Sequence, residues 1–155
     1  MQPQSHPRVL INIILMNSLE TKILFVKKIN KPYWELLGHV LDYGDTFEKC
    51  IKDIMKNETT MKLDEEDNGR IKYICSYNAV DKAKKRHFVE INYAIKINEE
   101  KDGKVEVDTN KYRFWKWMTM EDIKKSKNQI FYGFQIFLQK FNINLIKDIM
   151  KIDSI

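Results

Sequence analysis

The stretch from Leu36 to Met61, LLGHVLDYGDTFEKCIKDIMKNETTM, contains a strand end, a loop carrying Gly44, and an amphipathic helix in immediate succession. Five acids lie within it: Asp42, Asp45, Glu48, Asp53 and Glu58. Asp45 followed three residues later by Glu48 is a start of the capping-box kind. An oxygen side chain there satisfies orphan backbone N–H groups, and an acid suits the positive end of the helix dipole. The spacing predicts a helix from about Thr46. Phe47, Cys50, Ile51, Ile54 and Met55 then recur at i, i+3, i+4, i+7 and i+8, an apolar stripe turned to a core. Glu58 extends the same face. An unpaired buried charge is costly, so its carboxylate must reach the rim, find a partner or bind a cation.

Outward from this stretch, Val9 to Met16 is an apolar run broken only by Asn12, which suits a central strand. Asn17-Ser18 is a turn, and Lys22 to Ile29 reads as the paired strand, ended by Lys31-Pro32. Asp64 to Gly69 reads as a solvated acidic connection, without the ligand spacing of a calcium loop. Ile71 to Val80 and Phe88 to Ile97 form the next strand pair. In the second of these, Val89, Ile91, Tyr93, Ile95 and Ile97 alternate with Glu90, Asn92, Ala94 and Lys96, the period of a sheet with unlike faces. Glu99 to Gly103 reads as a turn, Lys104 to Val107 as a short strand and Phe114 to Met118 as another, with a short helix from Met120. Ile130, Phe131, Phe134, Phe137, Leu138 and Phe141 recur at helical spacing from Gln129, and Asn142 to Ile155 continues as an amphipathic segment. There, Leu145, Ile146, Ile149 and Met150 are available for core or homodimer contact.

The 155 residues, 43% hydrophobic and 32% charged, fit one domain with a proper core. No apolar run reaches the roughly 20 residues of a membrane span. The polar start with His6 and Pro7 lacks a signal-peptide pattern, which leads to the expectation of a cytoplasmic protein. Cys50 and Cys75 lack disulfide-framework or metal-site spacing and read as buried thiols. The net charge of +5 is moderate. The run Asp81 to His87 places Lys82, Lys84, Lys85 and Arg86 on a hairpin tip able to meet the phosphates of a nucleotide or of RNA, although such a run is more often only a solvated turn.

The opening stretch resembles the Nudix box, G-x5-E-x7-REUxEExGU, where U is a bulky aliphatic residue. Leu37-Gly38-His39 is similar to the family's Pro-Gly-Gly, and Asp42-Tyr43-Gly44-Asp45 to its Glu-aromatic-Gly-Glu. Thr46-Phe47-Glu48-Lys49-Cys50 resembles the T-W-E-E-C run of members that hydrolyse purine nucleoside triphosphates. Arg8-Val9, Trp115-Lys116-Trp117 before Glu121-Asp122, and Gln129 to Gly133 have counterparts there too. The resemblance implies an α/β fold, an α/β/α sandwich around a mixed sheet, over residues 1–155, with the box at 38–61 and C-terminal helices at 129–155. It also implies a Mg²⁺- or Mn²⁺-assisted nucleoside di- or triphosphate pyrophosphohydrolase.

The departures fall on the ligands. Family Arg-Glu becomes Asp53-Ile54, Glu-Glu becomes Asn57-Glu58, the second glycine becomes His39, the first glutamate becomes Asp45, and the glycine after the helix becomes Thr60. Glu58, with Asp45 and Asn57, is the residual candidate metal set. Glu58, Asp53 and Asp108 are the candidate catalytic acids, Asp108 standing where the family draws an acid for the attacking water. Trp34, Gly38, His39, Lys84 and Lys85 are the candidate substrate contacts. Mg²⁺ wants oxygen ligands in near-octahedral array. With so few left, the expected function is nucleotide binding with hydrolysis weak or lost. The alternative is a non-catalytic domain that binds nucleotide or RNA, or a protein-interaction scaffold.

Overall fold

The computed structural model describes residues 6–140, together with Asn144 and Asp148. Its elements are β1 (Arg8–Met16), β2 (Ile23–Lys28), β3 (Leu37–Val40), α1 (Phe47–Glu58), β4 (Lys72–Asp81), β5 (Arg86–Lys96), α2 (Glu99–Asp102), β6 (Tyr112–Met118), α3 (Met120–Lys125) and α4 (Tyr132–Lys140). Short 3-10 turns occupy Glu65–Arg70 and Lys127–Gln129. No described helix is long and apolar enough to cross a membrane.

The sheet runs β4-β5-β1-β2-β6, with β3 also paired to β1. β1 and β5 are parallel from Arg8↔Phe88 to Met16↔Lys96, and the other pairs are antiparallel, so the sheet is mixed. β1 and β2 meet only at Met16↔Ile23. They splay apart from there, and β3 enters the gap from Ile13↔Leu37 to Leu10↔Val40. A bridge between Val26 and Glu35 ties the incoming chain to β2.

Successive side chains of a strand point to opposite faces, and β1 serves two cores in this way. Ile11, Ile13 and Leu15 pack with Cys50, Ile51, Ile54 and Met55 of α1. Ile14 and Met16 pack with Phe25, Ile123, Phe134 and Phe137 beneath α3 and α4. That is the expected three-layer α/β/α arrangement.

Several local expectations are corrected. The box helix is capped by Thr46, whose side-chain oxygen accepts from the Lys49 N–H at 3.1 Å, while Asp45 turns to the Lys49 ammonium at 3.3 Å. The Asp64–Gly69 connection is not a solvated turn: it is a capped 3-10 turn that buries Asp67 completely. Glu99–Asp102 forms a helical turn capped by Asn98. Lys104–Val107 forms no strand, Val107 making only an isolated bridge to Thr59. The helix expected from Gln129 begins at Tyr132. The proposed contacts of Leu145, Ile146, Ile149 and Met150 lie outside the described residues. Both faces of β5 carry buried residues, Glu90, Asn92 and Ala94 on one and Ile95 on the other.

Gly38 sits where β3 crosses β1. A Cβ there would come within 2.8 Å of the Ile11 carbonyl oxygen and 2.8 Å of Asn12 Oδ1. Backbone on β1 cannot give way cheaply, so Gly38→Ala is expected to cost about 2 kcal/mol in urea unfolding. A loss under about 0.5 kcal/mol would show that the strand crossing is looser than this geometry.

Candidate functional site

One turn after another, α1 delivers Asp53, Ile54, Asn57 and Glu58 to the wall of a cavity of about 240 Å³, completed by His39, Asp42 and Asp45 from the preceding loop, Cys50, and Lys111. Gly44, at φ +85, turns the loop into the helix, a conformation that suits glycine. The structure thus brings together the candidate metal set Glu58, Asp45 and Asn57, together with Asp53 and His39.

Glu58 is 2% exposed. It neither reaches the rim nor lies free: the Lys111 ammonium pairs with its Oε1, while Oε2 has no hydrogen-bond partner among the described residues. Lys111 is held over the Tyr112 ring at 5.7 Å. Burial, and then the charge of Glu58, push the Tyr112 hydroxyl up. The loop bearing Lys111 is docked by a 2.8 Å bond from the Asp108 N–H to the Glu58 carbonyl. Asp53 and Asp45 share Lys49, at 2.8 and 3.3 Å. These neighbouring acids raise the Lys49 ammonium, the Asp53 hydrogen bond most. Burial, followed by the surrounding carboxylates, raises the Cys50 thiol to about 11, so it stays protonated.

Asp108 is not part of this wall. Its carboxylate accepts the Asn110 N–H at 3.0 Å, as a turn-forming aspartate does. His39 is exposed, with Nδ1 donating to the Val40 carbonyl at 2.6 Å. Trp34 packs against the core beneath α3 and α4, with the Lys27 ammonium 4.7 Å above its ring. Gly38 lines a second, smaller cavity of about 50 Å³ with Asn12, Lys28, Glu35, Glu90, Phe131 and Phe134. Lys84 and Lys85 lie on the exposed β4–β5 hairpin, where Lys82, Lys85 and Arg86 line a separate concavity of about 380 Å³.

Sequence reasoning missed three charged groups. Lys111 lies 53 positions from Glu58 and belongs to no local pattern. Glu35 pairs with Lys28 at 3.2 Å; burial raises its carboxyl, Lys28 opposes this, and Glu58 adds to the rise. Glu90, 1% exposed, accepts from Asn12 Nδ2 at 2.8 Å, and its Oε2 has no hydrogen-bond partner among the described residues. Burial lifts its carboxyl to about 7. The polar break at Asn12 and the alternation through Glu90 were the available signals.

Among the described residues, no three His, Cys, Asp or Glu side chains group as a metal's ligands would. Asp45 and Asp53 are engaged by Lys49 and one Glu58 oxygen by Lys111, and Ile54 puts hydrocarbon on the cavity wall. The residues present do not fit the divalent cations that the resemblance implies.

A mixed sheet clasped between helix layers, with an acid-walled cavity at the loop–helix junction, defines an α/β/α protein. A family model described as NUDIX domain matches residues 6–134, and the chain belongs to the Nudix family. Its fold is similar to that of a MutT Nudix hydrolase from Burkholderia pseudomallei, at 19% identity over 89% of this chain and 100% of that one, with a TM-score of 0.70. A MutT protein from Methanosarcina mazei matches at 13% identity over 88% and 94% of the two chains, TM-score 0.66. A bifunctional NMN adenylyltransferase/ADP ribose pyrophosphatase from Francisella tularensis, in complex with AMP and a Mn ion, matches at 17% identity over 90% of this chain but 43% of its own, TM-score 0.64. At these identities the likeness is one of fold. No curated protein matches the sequence.

Proposed function

We propose that this chain is a nucleotide-binding Nudix protein in which hydrolysis of the diphosphate linkage is weak or lost. One observation carries the reading: of the four acids lining the cavity, Asp45 and Asp53 are held by Lys49 and Glu58 by Lys111. Diphosphate cleavage in metal-assisted sites rests on cations that polarise phosphoryl oxygens and generate a nucleophile from water. Acids engaged with lysines gather such ions poorly. Asp108, spent on its own turn, supplies no base to the cavity, whereas family membership supports retention of a nucleoside phosphate ligand.

The test is a panel of nucleoside di- and triphosphates and ADP-ribose, followed by melting temperature and by phosphate release with Mg²⁺ or Mn²⁺. Binding without consumption is expected: a ligand at 100 times its Kd stabilises by about 2.7 kcal/mol. Turnover is expected at least about 10³-fold below that of a family member with a complete box, and no lower in Glu58→Gln. Brisk, cation-dependent turnover abolished by Glu58→Gln would overturn the reading.

A second reading, RNA binding, is favoured by the β4–β5 hairpin, which keeps Lys82, Lys84 and Lys85 exposed at its tip. Each phosphate neutralised on a single strand contributes about −0.7 to the slope of log K against log salt. Lys84→Glu with Lys85→Glu is expected to flatten that slope for a short single-stranded RNA, with the nucleotide-induced melting shift retained.

A further inference from the structure

We infer that Lys111 takes the place of a divalent cation: its ammonium is the built-in counter-ion of Glu58, so that the cavity is charge-compensated by the chain itself and loads no free metal ion. Four observations meet here. Glu58 is almost wholly buried, at the C-terminal end of α1, where the helix dipole presents its negative end and disfavours a carboxylate. An unpaired carboxylate in that position would be prohibitively costly to keep charged. Among the described residues its one ionic partner is Lys111, and its second oxygen, Oε2, has no hydrogen-bond partner there, although both residues line the cavity.

The placement of the lysine is also built, not incidental. The Asp108 N–H docks the loop on the last carbonyl of α1, the Lys111 and Tyr112 N–H groups return to the Asp108 carbonyl, at 3.2 and 3.1 Å, and the Tyr112 ring beneath the ammonium is itself buried. Lys111 keeps 37% of its side chain exposed, so its stem enters from solvent while its charge is delivered inward. An ammonium is a compact point charge of modest reach, well suited to stand where a small hard cation would otherwise neutralise one carboxylate. A lysine cannot, however, bridge phosphate oxygens or activate water as a divalent ion does. Lys49 repeats the substitution between Asp45 and Asp53 at the entrance, and together the two lysines account for three of the cavity's four acids.

The inference concerns the unliganded protein and is tested without nucleotide, so it stands or falls separately from the proposed nucleotide binding. Mn²⁺ is titrated into the wild-type chain, Glu58→Gln, Lys111→Met, and Lys111→Met with Glu58→Gln, and free Mn²⁺ is followed by its electron paramagnetic resonance signal. Melting curves are recorded with EDTA and with millimolar Mn²⁺. The wild type is expected to leave the Mn²⁺ signal undiminished and to melt identically in both solutions. Lys111→Met is expected to melt about 5–10 °C lower in EDTA, to recover most of that loss in Mn²⁺ and to take up Mn²⁺. The double variant is expected to regain stability without the ion and to bind none.

Uptake of Mn²⁺ by the wild type that Glu58→Gln removes would overturn the inference. So would a folded Lys111→Met that neither loses stability nor takes up Mn²⁺. Should Lys111→Met fail to fold, the wild-type arm still decides, with the double variant as its folded control: a double variant that folds where the single one does not supports the pairing, and one that also fails overturns it.

Discussion

Replacing Glu90 by glutamine is expected to stabilise the fold by about 2 kcal/mol at pH 8 and to remove a decline in stability that the wild type shows between about pH 4.5 and 7. Glu90 lies on β5 beneath α4, its Oε1 accepting from Asn12 and its Oε2 pressed toward Gly133, where a Cβ would overlap the carboxylate. Tyr77 on β4 and Tyr132 on α4 face it as well, and their hydroxyls are themselves pushed up by burial and by Glu90. Among the described residues no cation is paired with Glu90, so burial outweighs the Asn12 hydrogen bond and lifts the carboxyl from 4.5 to about 7. A folded-state value above the unfolded one means that the native protein holds the extra proton in that window. The associated stability is therefore complete below about pH 4.5 and is lost as pH rises through about 7. At about 1.4 kcal/mol per pH unit the gap corresponds to roughly 3 kcal/mol. Glutamine keeps the neutral form at every pH, but an amide N–H facing the Gly133 side lacks an acceptor, offsetting about 1 kcal/mol. Urea unfolding of both proteins from pH 4 to 8 checks this, and parallel profiles would show that Glu90 is solvated and charged.

The same group shows how far the sequence could be read. The stripe Cys50, Ile51, Ile54, Met55 on α1 was legible because helical period alone dictates it, and the two faces of β1 follow from the period of a strand. Thr46 displaced Asp45 as the cap because both oxygens were available one residue apart, and Lys49 draws the aspartate away. Where charges end up was not legible. Asn12 and Glu90 are 78 positions apart, and Lys111 is 53 from Glu58, so the groups that decide whether a carboxylate is ionised, paired or able to take a metal are brought together only by the sheet. Composition and period carry no record of such pairings. The resemblance to the Nudix box marks Ile54 and Asn57 as departures from its acids, but it gives no sign of the lysines that pair with Asp45, Asp53 and Glu58.

Asp67→Asn is expected to cost about 3 kcal/mol at pH 7. Asp67 is fully buried and accepts from Lys101 Nζ at 2.6 Å, the Asp64 N–H at 2.9 Å and Arg70 Nη1 at 3.1 Å. Arg70 continues to Asp102 and to the Lys96 carbonyl, at 2.5 and 3.1 Å, so one carboxylate joins the 3-10 turn, the end of β5 and α2. An asparagine preserves the shape, but even with its Oδ1 kept toward Lys101 and Arg70 it leaves both cations facing a neutral group, and it turns an amide N–H toward the Asp64 N–H that the second carboxylate oxygen accepts. Burial by itself would raise the Asp67 carboxyl; the Lys101 ammonium, the Asp64 N–H and Arg70 outweigh it and hold it well below the usual 3.8. A depressed folded-state value places the stabilisation above the unfolded value, so it is present in full at pH 7 and is lost as pH falls below about 3.8 toward the folded-state value. The wild-type and Asp67→Asn unfolding free energies should accordingly converge on acidification. A deficit that stayed constant from pH 7 to pH 2.5 would mean that the charge is not what is lost, and that the turn depends on the shape of the side chain alone. Because the network touches no wall of the cavity, the nucleotide-induced rise in melting temperature should survive in the variant, separating loss of stability from loss of the site.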